Sequence, residues 1–224
     1  MQQVFLQQNH SSKLNLIFLG YGQDVAHFEY LKDKTDNDIA LVFDYQNHNF
    51  DASVYTEYQE INLITWSMGV MVAPVVLVNT SLVDKLISKV AINGTVEGID
   101  LKFGIPKKIW ELTISSMNET NALKFNQRMC NDETLFNEYT SIKSNRTVEN
   151  LKSELQFILD FSQDLKTKEI QKALHFNYDL AILGLQDKIF SLKNMLASME
   201  QHHVATKTMD IAHYNKEVFI ELLK

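Results

Sequence analysis

The chain alternates between short, continuously apolar runs and longer stretches in which apolar residues recur every three or four positions. Apolar runs without polar alternation are typical of strands that are covered on both faces, as in a parallel sheet. Five runs predict such strands, at residues 14–20, 39–45, 61–66, 89–93 and 179–185. Residues 4–8 and 204–211 are less apolar and predict two further strands, the first of them at a sheet edge.

Helical periodicity follows several of these runs. Residues 68–85 and 189–201 predict helices between strands, and residues 215–224 predict a closing amphipathic helix. Strands that alternate with helices in this way indicate the α/β class. We therefore expect a mostly parallel sheet with helices on both faces.

The alternation stops between residues 97 and 177, which contain four amphipathic patterns and no convincing strand. We interpret 97–177 as a helical insertion over one end of the sheet, the lid insertion, and 1–96 with 178–224 as the core domain. The lid insertion carries 11 of the 21 Lys and Arg residues and 12 of the 28 acids, so its charge is near −1. The core domain is near −6.

Composition narrows the possible functions. The 224 residues are 45 % hydrophobic, enough for a full core, and the formal net charge of −7 disfavours binding to nucleic acid or to anionic membranes. The single cysteine, Cys130, excludes an intramolecular disulfide and a cysteine-rich metal site. No signal peptide or membrane-spanning run is apparent, so we expect a soluble cytoplasmic protein.

The segment TWSMGV at 65–70 places Ser67 between a buried strand and a helix. A serine on such a turn, in a pattern close to G-x-S-x-G, is typical of the nucleophile elbow of esterases and lipases. Gly69 supplies the second glycine, and Thr65 replaces the first. The alternative is that Ser67 only caps the helix.

An acid and a base follow in the order that this fold uses, Ser then Asp then His. Asp187 comes directly after the apolar run at 179–185, and His213 lies between the last strand and the last helix. Asp187 would orient the imidazole, and His213 would accept the serine proton and return it to the leaving alcohol. Taken singly, Asp187 could be a helix cap and His213 a surface residue.

Backbone N–H groups should stabilise the developing oxyanion. Met68, after the nucleophile, supplies one, and Tyr21 between Gly20 and Gly22 supplies the other, although a plain turn explains that segment equally well. The neighbouring His202 and His203 do not suggest a metal site, because adjacent helical residues face different directions. We predict no metal and no cofactor.

Several stretches together resemble a known family. They are FLGYG, FDYQ at 43–46, TWSMGV, AINGT at 91–95, FGIP at 103–106, LKFNQRMC at 123–130, QDKIF at 186–190 and the pair His213-Tyr214. Nearly end to end, the chain is similar to the BioG-type pimeloyl-[acyl-carrier protein] methyl ester esterases of biotin synthesis. Two positions depart from the family pattern, since Thr65 replaces a small residue and Tyr21 replaces tryptophan.

The resemblance implies an α/β-hydrolase fold with a helical lid, and the triad Ser67, Asp187 and His213. It also implies hydrolysis of the methyl ester at the far end of a pimeloyl chain that is carried on acyl carrier protein, with release of methanol. We expect Tyr21, Trp66 and Met68 to contact the substrate, and we expect a monomer.

An acidic carrier protein should dock on basic surface, and the lid insertion is less acidic than the core domain. The candidate docking cations are Lys107, Lys108, Lys124, Arg128, Lys143, Arg146 and Lys152. The alternative for these residues is an ordinary mixed helix surface. Two other functions stay open, a broad cytosolic carboxylesterase and a non-catalytic binding protein of the same fold.

Overall fold

The computed structural model describes residues 1–164 and 176–224, which form one seven-stranded sheet and the helices around it. The spatial order of the strands is β1-β3-β2-β4-β5-β6-β7, and only the edge strand β1 runs antiparallel to its neighbour. Their bounds are β1 Gln2–Gln7, β2 Lys13–Phe18, β3 Asp38–Phe43, β4 Glu60–Trp66, β5 Leu86–Ile92, β6 Leu180–Gly184 and β7 Thr206–Met209. All seven predicted strands are confirmed.

The continuous apolar runs fill two cores, one on each face of the sheet. Alternate residues of a strand point to opposite faces, so in β2 Leu16 and Phe18 enter one core and Ile17 enters the other. The first core packs under α1 (Gly69–Leu77) and α6 (Leu192–Gln201). The second packs under a 3₁₀ helix at Val25–Leu31 and under α7 (Lys216–Leu222).

Helix α1 is shorter than the predicted 68–85 segment. It ends at Leu77, and Thr80 caps a separate 3₁₀ helix at Ser81–Lys85 by accepting the Leu82 N–H. Pro74 inside α1 cannot donate a backbone hydrogen bond to the carbonyl of Val70. The Tyr178 hydroxyl donates to that carbonyl at 2.9 Å and satisfies it.

Among the described residues between β5 and β6, where the sequence predicts the lid insertion, there are four helices. They are α2 Lys107–Ser116, α3 Glu119–Cys130, α4 Glu133–Ser141 and α5 Val148–Asp164. Asn118 and Asp132 cap α3 and α4 through their side-chain oxygens, which explains the short breaks between these helices. The domain boundaries at 97 and 177 stay predictions, and residues 165–175 of the predicted insertion lie outside the described residues.

Candidate active site

Ser67 occupies a strained turn directly after β4. Its φ is +58°, a left-handed conformation that is rare for a residue other than glycine. The Ser67 N–H donates to the Ile92 carbonyl at 2.9 Å, and its own carbonyl accepts the Val70 N–H at 3.1 Å. The chain therefore holds Ser67 from both sides in the geometry of a nucleophile elbow.

Two glycines make room for this turn. A Cβ at Gly69 would lie 2.4 Å from the Phe18 carbonyl oxygen, and a Cβ at Gly94 would lie 2.3 Å from that of Ser67. Both contacts are with backbone, which cannot move away cheaply. Gly69 therefore lets α1 pack against β2, and Gly94 lets the loop after β5 pack against the elbow.

Asp187 and His213 meet at the carboxyl edge of the sheet, in the loops that follow β6 and β7. Asp187 Oδ2 lies 2.7 Å from His213 Nδ1. Asp187 Oδ1 accepts the N–H groups of Ile189 and Phe190 at 2.7 and 2.9 Å. Asp187 does not cap α6, whose N-cap is Ser191. One of its oxygens holds the turn before that helix, and the other contacts the imidazole.

The backbone of His213 is held by two buried side chains. Trp66 Nε1 donates to the His213 carbonyl at 2.8 Å, and Asn93 Nδ2 donates to the same oxygen at 2.9 Å. Asn93 also accepts the Gly184 N–H at 2.6 Å, which connects the end of β6 to this loop. Residues next to Ser67 in the chain and in the sheet therefore position the imidazole.

Ser67 and His213 are both buried, with residue exposures of 4 % and 1 %. The indole of Trp66, which precedes Ser67, lies 5.3 Å from the His213 ring between ring centroids. Phe190 stacks on the other side of His213. No hydrogen bond joins Ser67 Oγ to His213 in the part of the chain that the structure describes.

The loop after β2 lies against the nucleophile, as the sequence predicts for an oxyanion loop. A Cβ at Gly20 would lie 2.9 Å from Ser67 Cβ and 3.2 Å from Ser67 Oγ. Among the described residues, the N–H groups of Tyr21 and Met68 have no acceptor. Two free donors close to a serine can stabilise a developing oxyanion.

Trp66 does not fit the predicted substrate contact. Strand alternation turns Trp66 to the face opposite α1, where its ring packs between Phe28 and Phe219 in the second core and is fully buried. Its indole N–H is already bonded to His213. The side chain therefore positions the candidate base and has no surface left for a substrate.

Aromatic side chains of the lid insertion pack against Tyr21. Its ring makes edge contacts with Trp110 of α2 and Phe125 of α3, at 6.0 and 5.4 Å between ring centroids. The Tyr21 hydroxyl is buried without a hydrogen-bond partner, and burial raises its pKa well above the usual value. Met68 is also buried, at 1 % exposure, so both predicted contacts with the substrate stay predictions.

Two of the cavities between the helices of the lid insertion lie next to Tyr21 or its aromatic neighbour Trp110. One, of about 270 Å³, is lined by Tyr21 and Gly22 of the oxyanion loop, and the other, of about 330 Å³, is lined by Trp110. Phe125 and Met117 border both. Neither cavity is lined by Ser67, Asp187 or His213, and Ser67 is buried.

The candidate docking cations divide into two groups. Arg146 does not fit the docking role, because its side chain is only 5 % exposed and contacts Asp44 at 2.7 Å and Glu154 at 2.9 Å. A guanidinium that is neutralised inside the protein cannot contribute to a basic surface. The six exposed candidates are Lys107, Lys108, Lys124, Arg128, Lys143 and Lys152.

Two of the exposed cations border the larger cavity, together with a cation that the sequence analysis did not select. Lys124, Arg128 and Lys188 all contribute to the wall of the 330 Å³ cavity. Lys188 follows Asp187 directly in the chain. Positive charge therefore surrounds one opening that leads in under the lid insertion.

Sequence reasoning missed Glu154, a fully buried carboxylate on α5 that accepts the Gly22 N–H at 2.9 Å. A signal was present, since Glu154 lies at helical spacing between the partly buried Leu151 and the buried Ile158 and Phe161. A glutamate in the middle of an apolar stripe predicts a buried ionic contact.

Other potentially reactive groups do not form a second site. Burial raises the pKa of the Cys130 thiol to about 12, so the thiolate is not formed near neutral pH. Within residues 1–164 and 176–224, no three His, Cys, Asp or Glu side chains are grouped as a metal ion would require. In the same residues, no helix is long and apolar enough to cross a membrane.

Comparison with known proteins identifies the fold. The crystal structure of BioG from Haemophilus influenzae superimposes with a TM-score of 0.82 and 28 % sequence identity, covering 98 % of this chain and 97 % of that one. An esterase from Exiguobacterium antarcticum has 14 % identity and a TM-score of 0.67, covering 99 % and 92 % of the two chains. The fold is that of the α/β-hydrolases.

Sequence comparison identifies the family. A malonyl-[acyl-carrier protein] O-methyltransferase of Bacteroides fragilis is 33 % identical over 208 residues, which are 93 % of this chain and 41 % of that protein. The chain thus spans about two fifths of the length of this relative. The family model described as pimeloyl-ACP methyl esterase BioG matches residues 1–222. The chain therefore belongs to the BioG family of pimeloyl-ACP methyl esterases.

Proposed function

We propose that this protein is a serine esterase that hydrolyses the methyl ester of pimeloyl-acyl-carrier-protein methyl ester, releasing methanol and pimeloyl-acyl carrier protein for biotin synthesis. The observation that carries the proposal is the 2.7 Å contact between Asp187 and His213, beside a Ser67 that is held at φ +58°. A helix cap needs neither a positive φ nor a buried His–Asp pair. A non-catalytic binding protein would have no use for this arrangement.

The first half of the reaction forms an acyl-enzyme. Ser67 Oγ attacks the ester carbonyl carbon, and His213 accepts the serine proton on Nε2 while Asp187 stabilises the imidazolium. The carbonyl oxygen becomes an oxyanion that accepts hydrogen bonds from the N–H groups of Tyr21 and Met68. The tetrahedral intermediate then expels methoxide, which takes the proton from His213 and leaves as methanol.

The second half regenerates the serine. His213 removes a proton from water, and the resulting hydroxide attacks the acyl carbon. The same two N–H groups stabilise the second oxyanion. Collapse of this intermediate returns the proton to Ser67 Oγ and releases the free carboxylic acid, still attached to its carrier at the opposite end of the chain.

Charge supports a carrier-bound substrate over a small free ester. Lys124, Arg128 and Lys188 surround the opening of the larger cavity, although the protein as a whole carries a net charge of −7. Local positive charge attracts an acidic partner to that place, and the acidic remainder of the protein repels the partner elsewhere. We propose that the carrier protein docks on the exposed cations of the lid insertion and that the acyl chain enters beside Phe125.

The name of the Bacteroides fragilis relative does not contradict this proposal. That protein is named for methyl transfer to malonyl-acyl carrier protein, and more than half of its length lies outside the match to this chain. The residues assembled at Ser67 are those of acyl transfer by a nucleophilic serine. Methyl transfer to a carboxylate forms a methyl ester, whereas hydrolysis removes one.

The decisive experiment compares the wild-type chain with Ser67→Ala on pimeloyl-carrier-protein methyl ester and, in parallel, on a small ester such as p-nitrophenyl butyrate. Removing the nucleophile of a triad should lower kcat by about 10⁴-fold or more. Turnover of the carrier ester that depends on Ser67 would support the full proposal. Turnover of the small ester alone would leave a broad carboxylesterase, and no Ser67-dependent turnover would leave a binding protein.

A further inference from the structure

A buried cluster of charges joins the lid insertion to the oxyanion loop, and the reaction steps above make no use of it. Its centre is Glu154 on α5, which is fully buried. One carboxylate oxygen accepts the Gly22 N–H at 2.9 Å, and the other accepts the Tyr45 N–H at 2.9 Å. Glu154 thus connects the insertion to loops that follow two central strands, β2 and β3.

Arg146 compensates the buried charge. It contacts Glu154 at 2.9 Å and Asp44 at 2.7 Å, and its Nη1 donates to the Gln23 carbonyl at 3.1 Å. A buried carboxylate without such a partner would be very costly. Side chains of the insertion therefore hold two peptide groups of the oxyanion loop, Tyr21–Gly22 and Gln23–Asp24.

These contacts hold the peptide group that follows Tyr21, and so restrict the backbone next to the Tyr21 N–H, the candidate oxyanion donor. The Tyr21 carbonyl and the Gly22 N–H belong to one planar peptide group. Glu154 accepts the Gly22 N–H, and Gln23 Nε2 donates to the Tyr21 carbonyl at 3.2 Å, so both polar groups of this peptide are hydrogen-bonded. Gly22 has a φ of +74° and, as a glycine, would otherwise have wide conformational freedom.

We propose that Glu154 is a positioning residue of the oxyanion hole, with Arg146 as its counterion, so that the lid insertion completes the catalytic site as well as covering it. The inference rests on the proposed esterase function. The two N–H groups and the guanidinium stabilise the carboxylate, and Arg146 is shared between Glu154 and Asp44. Opening the insertion far enough to withdraw Glu154 would release the Tyr21–Gly22 peptide.

The test is Glu154→Gln, which keeps the size of the side chain and removes its charge. A glutamine can accept one N–H group but presents an NH₂ group to the other. We expect kcat for p-nitrophenyl butyrate to fall about tenfold, less than the 10²–10³-fold cost of deleting an oxyanion donor outright. We expect KM to change less than twofold, because a displaced oxyanion donor weakens the transition state more than the substrate complex.

A second readout separates positioning from a merely structural role. A trifluoromethyl ketone forms a tetrahedral anion on Ser67, so its affinity should fall by the same factor as kcat, whereas a loss of stability alone would leave that affinity unchanged. The matched control is Glu97→Gln, since Glu97 accepts hydrogen bonds from Ser198 and pairs with His202 away from the oxyanion loop. The control should retain wild-type kcat and wild-type ketone affinity.

The outcomes are distinguishable from failure of the proposed function. An active wild type with an equally active Glu154→Gln variant, whatever its melting temperature, would overturn the positioning role and leave the esterase intact. A wild type without Ser67-dependent turnover would remove both. If Glu154→Gln does not fold, Glu154→Asp keeps the charge but withdraws the carboxylate, and normal kcat and ketone affinity in that variant would overturn the inference.

Discussion

The two halves of the candidate site are held in different ways. The acid–base half is built within the core domain, where Asp187 is fixed by N–H groups of its own loop and the His213 backbone is fixed by Trp66 and Asn93. The oxyanion half depends on the lid insertion through Glu154. The insertion also contacts the acid–base half, since the Met129 carbonyl of α3 accepts the Tyr214 N–H at 3.1 Å. We therefore expect movement of the insertion to alter the stabilisation of charge more than proton transfer.

Asp187→Asn should have the largest effect on the acid–base half. The asparagine oxygen can still accept the N–H groups of Ile189 and Phe190, so the loop should keep its shape. Its NH₂ group would then face His213 and favour the wrong tautomer, which should lower kcat/KM by about 10³–10⁴-fold.

Steady-state kinetics on p-nitrophenyl butyrate, together with a thermal melt, measure the effect of Asp187→Asn. Asp179→Asn is a suitable control, because Asp179 contacts Lys89 in an exposed ion pair at the opposite end of β6. A wild-type rate in Asp187→Asn would mean that the imidazole takes its orientation from Trp66 and Asn93 alone.

Trp66→Phe should have an intermediate effect on the same half. The substitution removes the indole N–H that donates to the His213 carbonyl, although Asn93 continues to donate there. We expect kcat to fall about tenfold and the free energy of unfolding to fall by about 2 kcal/mol, from one lost buried hydrogen bond and a small void.

Trp110→Phe also replaces a buried, hydrogen-bonded indole by a phenyl ring, but in the oxyanion half of the site. The Trp110 indole N–H donates to the Leu155 carbonyl at 2.9 Å, and its ring packs on Tyr21 and borders the larger cavity. We expect a similar loss of stability by denaturant unfolding, but a change in KM more than in kcat. The same kcat loss in both variants would contradict the division of the site into two halves.

The acid–base half was largely predictable from the sequence, because its signals are local. Ser67, Asp187 and His213 each lie just beyond the end of an apolar run, and the carboxyl ends of parallel strands meet at one edge of a sheet. The four described helices of the insertion follow from helical periodicity, whereas periodicity does not determine the spatial order of the strands. The error at Trp66 was avoidable, since Ile64 and Trp66 alternate onto one face of β4.

The oxyanion half was less predictable, because its contacts join residues far apart in the chain. Gly22 and Glu154 are separated by 132 positions, and no local pattern pairs them. From its charge alone, Arg146 is expected at the surface. In the structure it contacts two carboxylates that come from separate elements. Ion pairs of this kind depend on how the insertion packs, which periodicity does not determine.

The smallest expected effect concerns the partner surface. Lys124→Glu combined with Arg128→Glu reverses two exposed charges at the mouth of the larger cavity. Exposed charge pairs contribute about 0.2–1 kcal/mol each, so KM for the carrier-bound methyl ester should rise about fivefold at low salt. The difference should shrink at 0.5 M salt, at which the Debye length is only about 4 Å.

Two comparisons make that result specific to docking. KM for p-nitrophenyl butyrate should stay within twofold in the same double variant, because a neutral ester does not respond to surface charge. Lys34→Glu combined with Lys207→Glu changes the net charge equally but reverses exposed residues of the core domain, so it should affect the carrier-bound ester less. An equal rise of KM in both double variants would show that the carrier responds to net charge, and the lid insertion would then act on the oxyanion loop without recognising the partner.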